Sequence, residues 1–498
     1  MNTVSRPSLF GRALLALLLT VGFYGLALGI AFGLLYLIYL EVVVLNRINV
    51  RFTIFALIGA VVILWSILPR IDRFTAPGPR LTRTKFPRLF TEIERVASQT
   101  GQALPREVYL VPDVNAFVTE RGGMMGIGSR RVMGIGFPLF HLMSVDELSA
   151  VIAHEFGHFY GGDTALGPWI YKTRAAIVRT VMNLGQTNRW LTIPFEAYAN
   201  MFLRVTNTVS RQQEFSADQL AARTLGAQAT IGGLQKVHKY GEAFAVYFRQ
   251  EYLPVIETGY KPSLLNGFEL FLKAPRIVEA VDNHYQQQLT EGKSDPYDTH
   301  PALKERIAAL QALPVGTVRN NLLASTLLPA GENLEYQMLS HMIDKKEHLQ
   351  GLKDIAWEQV AETAYLPQWE RNVQSYKHVL CEITPLHLFE EAQNISGLFR
   401  KLAAAGKFLP SNVQPSQVPQ ETQLQVINGI IGSALAFSLK QNGWQIKTSP
   451  GEDLVFVKGS KELRPFNFFP HLMTDKPSRE NWQEFCEENQ ISQMPLGA

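Results

Sequence analysis

His154-Glu155-Phe156-Gly157-His158 is an HExxH stretch. On a helix, residues four apart share a face, with side-chain stems about 5–6 Å from each other. Two imidazoles so placed can bind one tetrahedral ion at about 2.0–2.1 Å. Glu155, one residue past the first histidine, points to the flank, where it can hold a water rather than the ion. Hydrolysis needs that division of labour: the ion acidifies the water and the glutamate takes its proton. The flanking residues supply the helix. Ser144 can act as N-cap and Glu147 can reach back to the cap's own amide, so a helix is expected from about Val145. Leu148, Val151, Ile152 and Phe156 recur at helical spacing, and Gly161-Gly162 offers an end. With 11 histidines in 498 residues, chance yields an HExxH in roughly one chain in a hundred. The agreement of cap, stripe and end therefore carries the assignment.

Two histidines leave a third ligand to find. A metzincin would place a histidine at position 164, which is Thr164, and Asp163 is out of step with that pattern. The better candidate is a second helix, Asn207–Leu225, on which Glu214 and Asp218 lie four apart and share a face. A glutamate from a downstream helix is the gluzincin solution. Asp218 can then hydrogen-bond a ligand histidine from behind and fix its tautomer. Asp163 is the next candidate after Glu214.

The chain resembles the membrane zinc metallopeptidases of the HtpX type, a family that includes the CAAX prenyl proteases. The matching residues are Asn115-Ala116-Phe117, the run from Asp146 to His158, Arg211-x-x-Glu214-Phe-x-Ala217-Asp218, and Thr299-His300-Pro301 followed by Arg306-Ile307. Four motifs in order cover about residues 100–310; residues 315–498 lie outside the resemblance. It implies one zinc ion per chain held by His154, His158 and Glu214, with Glu155 as general base. It also implies a histidine, His300, beside the active site in support of the tetrahedral intermediate. Asp218, Asp163 and Arg306 are expected around these groups.

Composition fits a membrane protein. Charged residues are 18% and the net charge is +3, too small to suggest nucleic acid. Cys381 and Cys486 form no CxxC, which agrees with a reducing compartment. Residues 13–40 carry no charge and exceed the roughly 20 residues a helix needs to cross a bilayer; residues 52–69 form a second, shorter run. Arg70, Arg73, Arg80, Arg83, Lys85 and Arg88 follow it against the single acid Asp72. The positive-inside rule then keeps this flank, the N-terminus and the catalytic domain in the cytosol, on a multi-pass protein of the cell (inner) membrane.

Pro87–Thr100 reads as an amphipathic helix closed by Gly101. Val108–Val111, Ala116–Thr119 and Arg131–Gly136 read as a small sheet. In such peptidases the strand before the HExxH helix pairs with the extended substrate. Arg131, Val132, Met133, Gly134, Ile135 and Gly136 are therefore the expected substrate-binding strand. Residues 164–206 carry two apolar runs interrupted by Lys172, Arg174, Arg179, Glu196 and Arg204. They read as two amphipathic helices on the membrane, although the family that the chain resembles carries two further spans here, so two spans and four both stand as arrangements. The loop at 293–301 brings His300 to the start of a helix at Pro301.

The expected architecture is mainly α (α+β). A membrane anchor (1–70) precedes a gluzincin-like peptidase domain (71–313), a helical extension (314–404), a Pro/Gln/Ser-rich linker (405–422) and a small α+β module (423–498) in which residues 443–459 form a hairpin. The expected function is membrane-anchored zinc endopeptidase, with damaged or misassembled membrane polypeptides as substrates and the lipid bilayer as a partner. Two alternatives stand beside it: a CAAX-type processing protease, and a non-catalytic membrane scaffold with a structural zinc. Oligomeric state is not legible.

Overall fold

The computed structural model describes residues 9–70, 74–122, 128–159, 167–187, 189–292, 298, 300–316, 319–331, 333–343, 350–406, 408–410, 413–475 and 477–497. They form two compact units, one of residues 1–242 with 282–342 and one of 243–281 with 343–498.

The first unit begins with two apolar helices, α1 (Leu9–Tyr39) and α2 (Val50–Ile67), joined by a π-helical turn and a short loop. Both are long and apolar enough to cross a membrane. A four-stranded sheet follows: β1 (Arg80–Leu81), β2 (Glu107–Val111), β3 (Ala116–Arg121) and β4 (Arg130–Gly136), with helix α3 (Pro87–Thr100) between the first two. Gly101, at φ 68°, closes α3 as expected.

The strand order is β1-β2-β4-β3, and this corrects the substrate-strand expectation. Arg131, Val132, Met133, Gly134, Ile135 and Gly136 sit on β4, which pairs with β2 on one side and β3 on the other. Its main-chain groups are already used, so β4 has no edge to offer. The edge is β3. Gly134 belongs to this packing: it faces Phe117 across the ladder, and a Cβ there would come 2.3 Å from the Phe117 ring.

After a short turn of helix, α4 (Leu139–Leu142), comes the HExxH helix α5 (Val145–Gly157). Its capping box is complete: the Ser144 hydroxyl accepts from the Glu147 amide, and the Glu147 carboxylate accepts from the Ser144 amide at 2.7 Å. Helix α5 stops at Gly157 with His158 as its cap, short of Gly161. A segment beyond 313 also holds its start. The Asp146 carboxylate accepts the amides of Arg319 and Asn320 at 2.6 and 2.9 Å, and the Val145 amide donates to the Leu322 carbonyl.

Helices α6 (Gly167–Thr187) and α7 (Arg189–Leu225) follow. α7 is one rod of 37 residues, not a helix starting afresh at Asn207. Asn207 is fully buried within it. Phe195 and Phe202 of α7 and Ala176, Ile177 and Leu184 of α6 pack against Phe23, Ala27, Ala31, Ala56, Ala60 and Ile63. The two amphipathic helices thus bury their apolar sides on α1 and α2. Helix α8 (Ala227–Tyr247) and the helix Leu303–Gln311 complete the surroundings of α7. The latter starts at Leu303, two residues past Pro301.

The second unit has one core that joins residues from Trp369 to Leu496. Its helices Leu366–Leu380, Ile395–Gly406 and Gln420–Gln441 share that core with an antiparallel sheet of Gln445–Lys447, Val455–Lys458 and Lys461–Leu463. The helical extension and the C-terminal module therefore do not stand apart. Leu409 and Val418, in the stretch read as a linker, pack against the same core. Helix Gln420–Gln441 is also long and apolar enough to span a membrane, but it is mostly buried here, with Ile427, Ile431, Ala434 and Leu435 fully inside.

Gly157 sets how closely α5 and α7 approach, since a Cβ added there would stand 2.6 Å from the Ala217 Cα. Gly157→Ala should push the two helices apart at a cost of about 1–3 kcal/mol, lowering the melting temperature and the retained metal together. A variant that melts and binds metal like the wild type would show that the close approach is not required.

Candidate metal centre and active site

Helices α5 and α7 cross so that both histidines face Glu214. His154 Nε2 stands 3.5 Å from Glu214 Oε2, and His158 Nε2 stands 3.7 Å from Glu214 Oε1. Ligands about 2.0–2.1 Å from one tetrahedral ion are separated by about 3.3 Å, so the spacing is that of a nearly closed cage. Glu155 also comes close, with donor atoms of His154, Glu155 and His158 all within 4.8 Å of one another. Glu214 is the better third ligand because both histidine nitrogens point at its carboxylate. Its Oε2 is buried and, apart from a charge contact with Arg306 at 3.2 Å, accepts no hydrogen bond, which leaves room for a cation to complete its coordination.

Behind the ligands lies a buried charge network. His154 Nδ1 is 2.9 Å from Asp218 Oδ1, a charge contact lying off the ideal hydrogen-bond line. The Arg306 guanidinium donates to both oxygens of Asp218, at 2.8 and 2.7 Å, and reaches Glu214 Oε2 at 3.2 Å. His300 Nδ1 approaches Glu214 Oε1 at 3.1 Å. Its loop is tied down twice, as the Asp298 carboxylate accepts the His300 amide and the Asp298 carbonyl accepts from Arg211 on α7. Each of these residues except Asp163 therefore comes to one place; Asp163 lies outside the described residues.

The electrostatics follow from burial and neighbours. Burial disfavours the charged form of His154, but Asp218 and Glu214 outweigh it and raise its pKa to about 9. Burial, aided by the charge on His154, lowers His158 to about 4, leaving its imidazole neutral and able to bind a cation. Burial would raise Glu214, yet the nearby His154 and His300 rings and the Arg306 charge hold it well below the usual carboxylate range. Glu155 is pushed up to about 7, chiefly by burial, which suits a proton acceptor working near neutral pH. Its Oε2 accepts the Val118 amide of β3 at 3.3 Å.

Around this centre is a cleft of about 480 Å³. One wall is the start of β3 with Asp113, Val114 and Asn115; the opposite wall is α8, through Thr230, Leu234, Val237 and His238. The α8 wall was not legible in the sequence, because nothing local to 230–241 marks that face as turned to the HExxH helix. Lys236, however, pairs with Glu147 of the capping box at 2.6 Å and fixes α8 against α5.

Two outcomes are expected. Glu214→Ala should lose bound metal as fully as His158→Ala, whereas Asp218→Ala should weaken binding by roughly 10–100-fold; full zinc occupancy in purified Glu214→Ala would refute the ligand set. Because metal-free His154 keeps its extra proton below about pH 9, an incoming cation must displace it near neutrality. Zinc affinity should rise with pH up to about 9, with about one proton released from His154 at neutral pH. Calorimetric titration in buffers of different ionisation enthalpy reads this directly, and pH-independent binding with no proton release would contradict it.

Residues 83–313 match the model of peptidase family M48. Curated relatives include the protease HtpX of Salmonella arizonae, 25% identical over 275 residues, which are 50% of this chain and 80% of the relative. The protease HtpX of Escherichia coli (strain K12 / DH10B) is 25% identical over 274 residues, 50% of this chain and 79% of the relative. No solved structure matches the chain. With two apolar helices ahead of the matched segment and the HExxH, Glu214 and Arg306 gathered within it, residues 83–313 form a peptidase family M48 segment, and the chain is similar there to the membrane proteases named HtpX.

Proposed function

We propose that the protein is a zinc-dependent endopeptidase that cuts damaged or misassembled membrane polypeptides at the cytosolic face of the cell (inner) membrane. The observation that carries this reading is the hydrogen bond from the Val118 amide to Glu155. It ties the proton acceptor to β3, which lies at the edge of the sheet beside the HExxH helix and pairs through one side with β4. An extended polypeptide adding to Ala116–Arg121 would lie with its backbone across Glu155. Strand addition draws affinity from main-chain hydrogen bonds and so tolerates many sequences, as a quality-control protease requires.

His154, His158 and Glu214 would hold the ion, and their donor set of two imidazoles and a carboxylate suits zinc. When bound, zinc supplies a Lewis acid that acidifies a water and polarises the scissile carbonyl. Glu155 would accept a proton from the attacking water at its carboxylate and pass it to the leaving amine. His300, whose Nδ1 lies 3.1 Å from Glu214, would support charge on the carbonyl oxygen. Asp218 keeps the His154 ring oriented, and Arg306 keeps Asp218 ionised. The cytosolic orientation rests on the basic flank after α2; alkaline phosphatase fused after Ala498 should therefore be inactive, and an active fusion would reverse the topology.

Glu155→Gln separates enzyme from scaffold. The variant should stay folded and retain zinc while losing cleavage of casein or an unfolded membrane protein by at least the ~10²–10⁴-fold of a lost general base. If it cuts like the wild type, or if zinc-loaded wild type cuts neither substrate, the endopeptidase reading fails.

A further inference from the structure

We propose that α8 is the wall of the cleft that reads substrate side chains, and that Gly241 sets the size it admits, favouring a large apolar residue beside the bond to be cut. The inference rests on the endopeptidase reading above. A polypeptide added to β3 is held through its main chain, which carries no side-chain preference. Discrimination then falls to the wall it does not pair with. On α8, Thr230, Leu234, Val237 and Gly241 line the cleft, and their spacing of four, three and four residues is that of one helix face. The Thr230 hydroxyl donates to the Gly226 carbonyl at 2.9 Å, so it offers no proton to a ligand. His238 stands beside this stripe; burial, with the Arg306 charge, lowers its pKa and keeps the ring uncharged near neutrality. A stripe of this kind suits an aliphatic or aromatic side chain.

The glycines of α8 locate where that side chain would go. Gly232, Gly233 and Gly241 all lie in the helix interior. Packing accounts for the first two. A Cβ at Gly232 would stand 2.6 Å from Glu147 Oε1, and one at Gly233 would stand 3.0 Å from the Glu147 carbonyl oxygen and from Val151 Cγ2. They let α8 lie close on the HExxH helix, where the Lys236–Glu147 pair holds it. At Gly241, by contrast, a Cβ would meet nothing within 4 Å among the described residues. Glycine weakens a helix interior relative to alanine, and no neighbour requires it here. The space it leaves opens into the cleft. Because α8 is pinned to α5 about two turns before Gly241, that space is a standing part of the cleft, and filling it would shorten the largest side chain that fits.

The test uses the full-length, zinc-loaded protein, with Gly241→Ala and Gly241→Leu introduced alone and together with Glu155→Gln. Binding is read on the Glu155→Gln forms by fluorescence anisotropy with two labelled peptides, an Ala/Gln host and the same host carrying one Phe. The Phe peptide should bind at least about tenfold tighter than the host. Gly241→Leu should remove most of that preference and Gly241→Ala part of it. Cleavage is read on casein by mass spectrometry: Gly241→Leu should yield fewer fragment ends beside Phe, Tyr, Leu and Met, and more beside Ala and Ser, than the wild type. Gly241→Ala should melt at or above the wild-type temperature, as a site with room for a Cβ requires. Equal binding of the two peptides when Gly241 is intact, or a Phe preference that persists unchanged in Gly241→Leu, overturns the proposal. A preference lost in Gly241→Leu while no form cuts casein would uphold the side-chain pocket and refute the endopeptidase reading alone.

Discussion

The structure depends on one crossing, that of α5 and α7, made close by a glycine and held by buried charges. Gly157 lets the helices meet at Ala217. Two carboxylates, Glu214 and Asp218, then lie inside the protein and must be compensated, since an unpaired buried charge is strongly destabilising. Arg306 supplies one positive charge through a two-pronged contact with Asp218, and protonated His154 supplies the other. The second can be exchanged. A cation that displaced the His154 proton would take over its charge beside the two carboxylates and free the imidazole to act as a ligand.

The rest of the peptidase unit serves that crossing. Glu147 closes the start of α5 and binds Lys236, which brings the α8 wall to the cleft. Asp146 collects the amides of Arg319 and Asn320, so a strap beyond the family-matched segment secures the same end. Arg211, one turn before Glu214 on α7, fixes the loop that carries His300. The result is a rigid centre beside the edge strand of the sheet.

The placement of the candidate site residues was readable in the sequence because helical spacing is local. HExxH, the Glu214–Asp218 pair and the cap at Ser144 each need only a few neighbouring residues to state their geometry. The apolar runs of α1 and α2 were legible for the same reason. Strand order was not. Arg131–Gly136 precedes the HExxH helix in the chain, but the parallel pairing of β2 with β4 puts it in the sheet interior and leaves β3 at the edge. Nor was the length of α7 visible, because charged residues and Pro194 break its apolar pattern while its packing on α1 is tertiary. The stretch at 405–422 has a linker's composition, yet its few apolar residues are enough to dock on one continuous core.

The account stands on Glu214 joining His154 and His158 around one zinc ion in a site left open for water and substrate. X-ray absorption at the zinc edge of the loaded full-length protein measures this most directly. The account predicts two imidazole nitrogens and carboxylate oxygen at about 2.0–2.2 Å with a further light atom from solvent and no sulfur, and loss of the carboxylate signal in any metal retained by Glu214→Ala. A centre of four protein ligands, or an unchanged spectrum in Glu214→Ala, would contradict it.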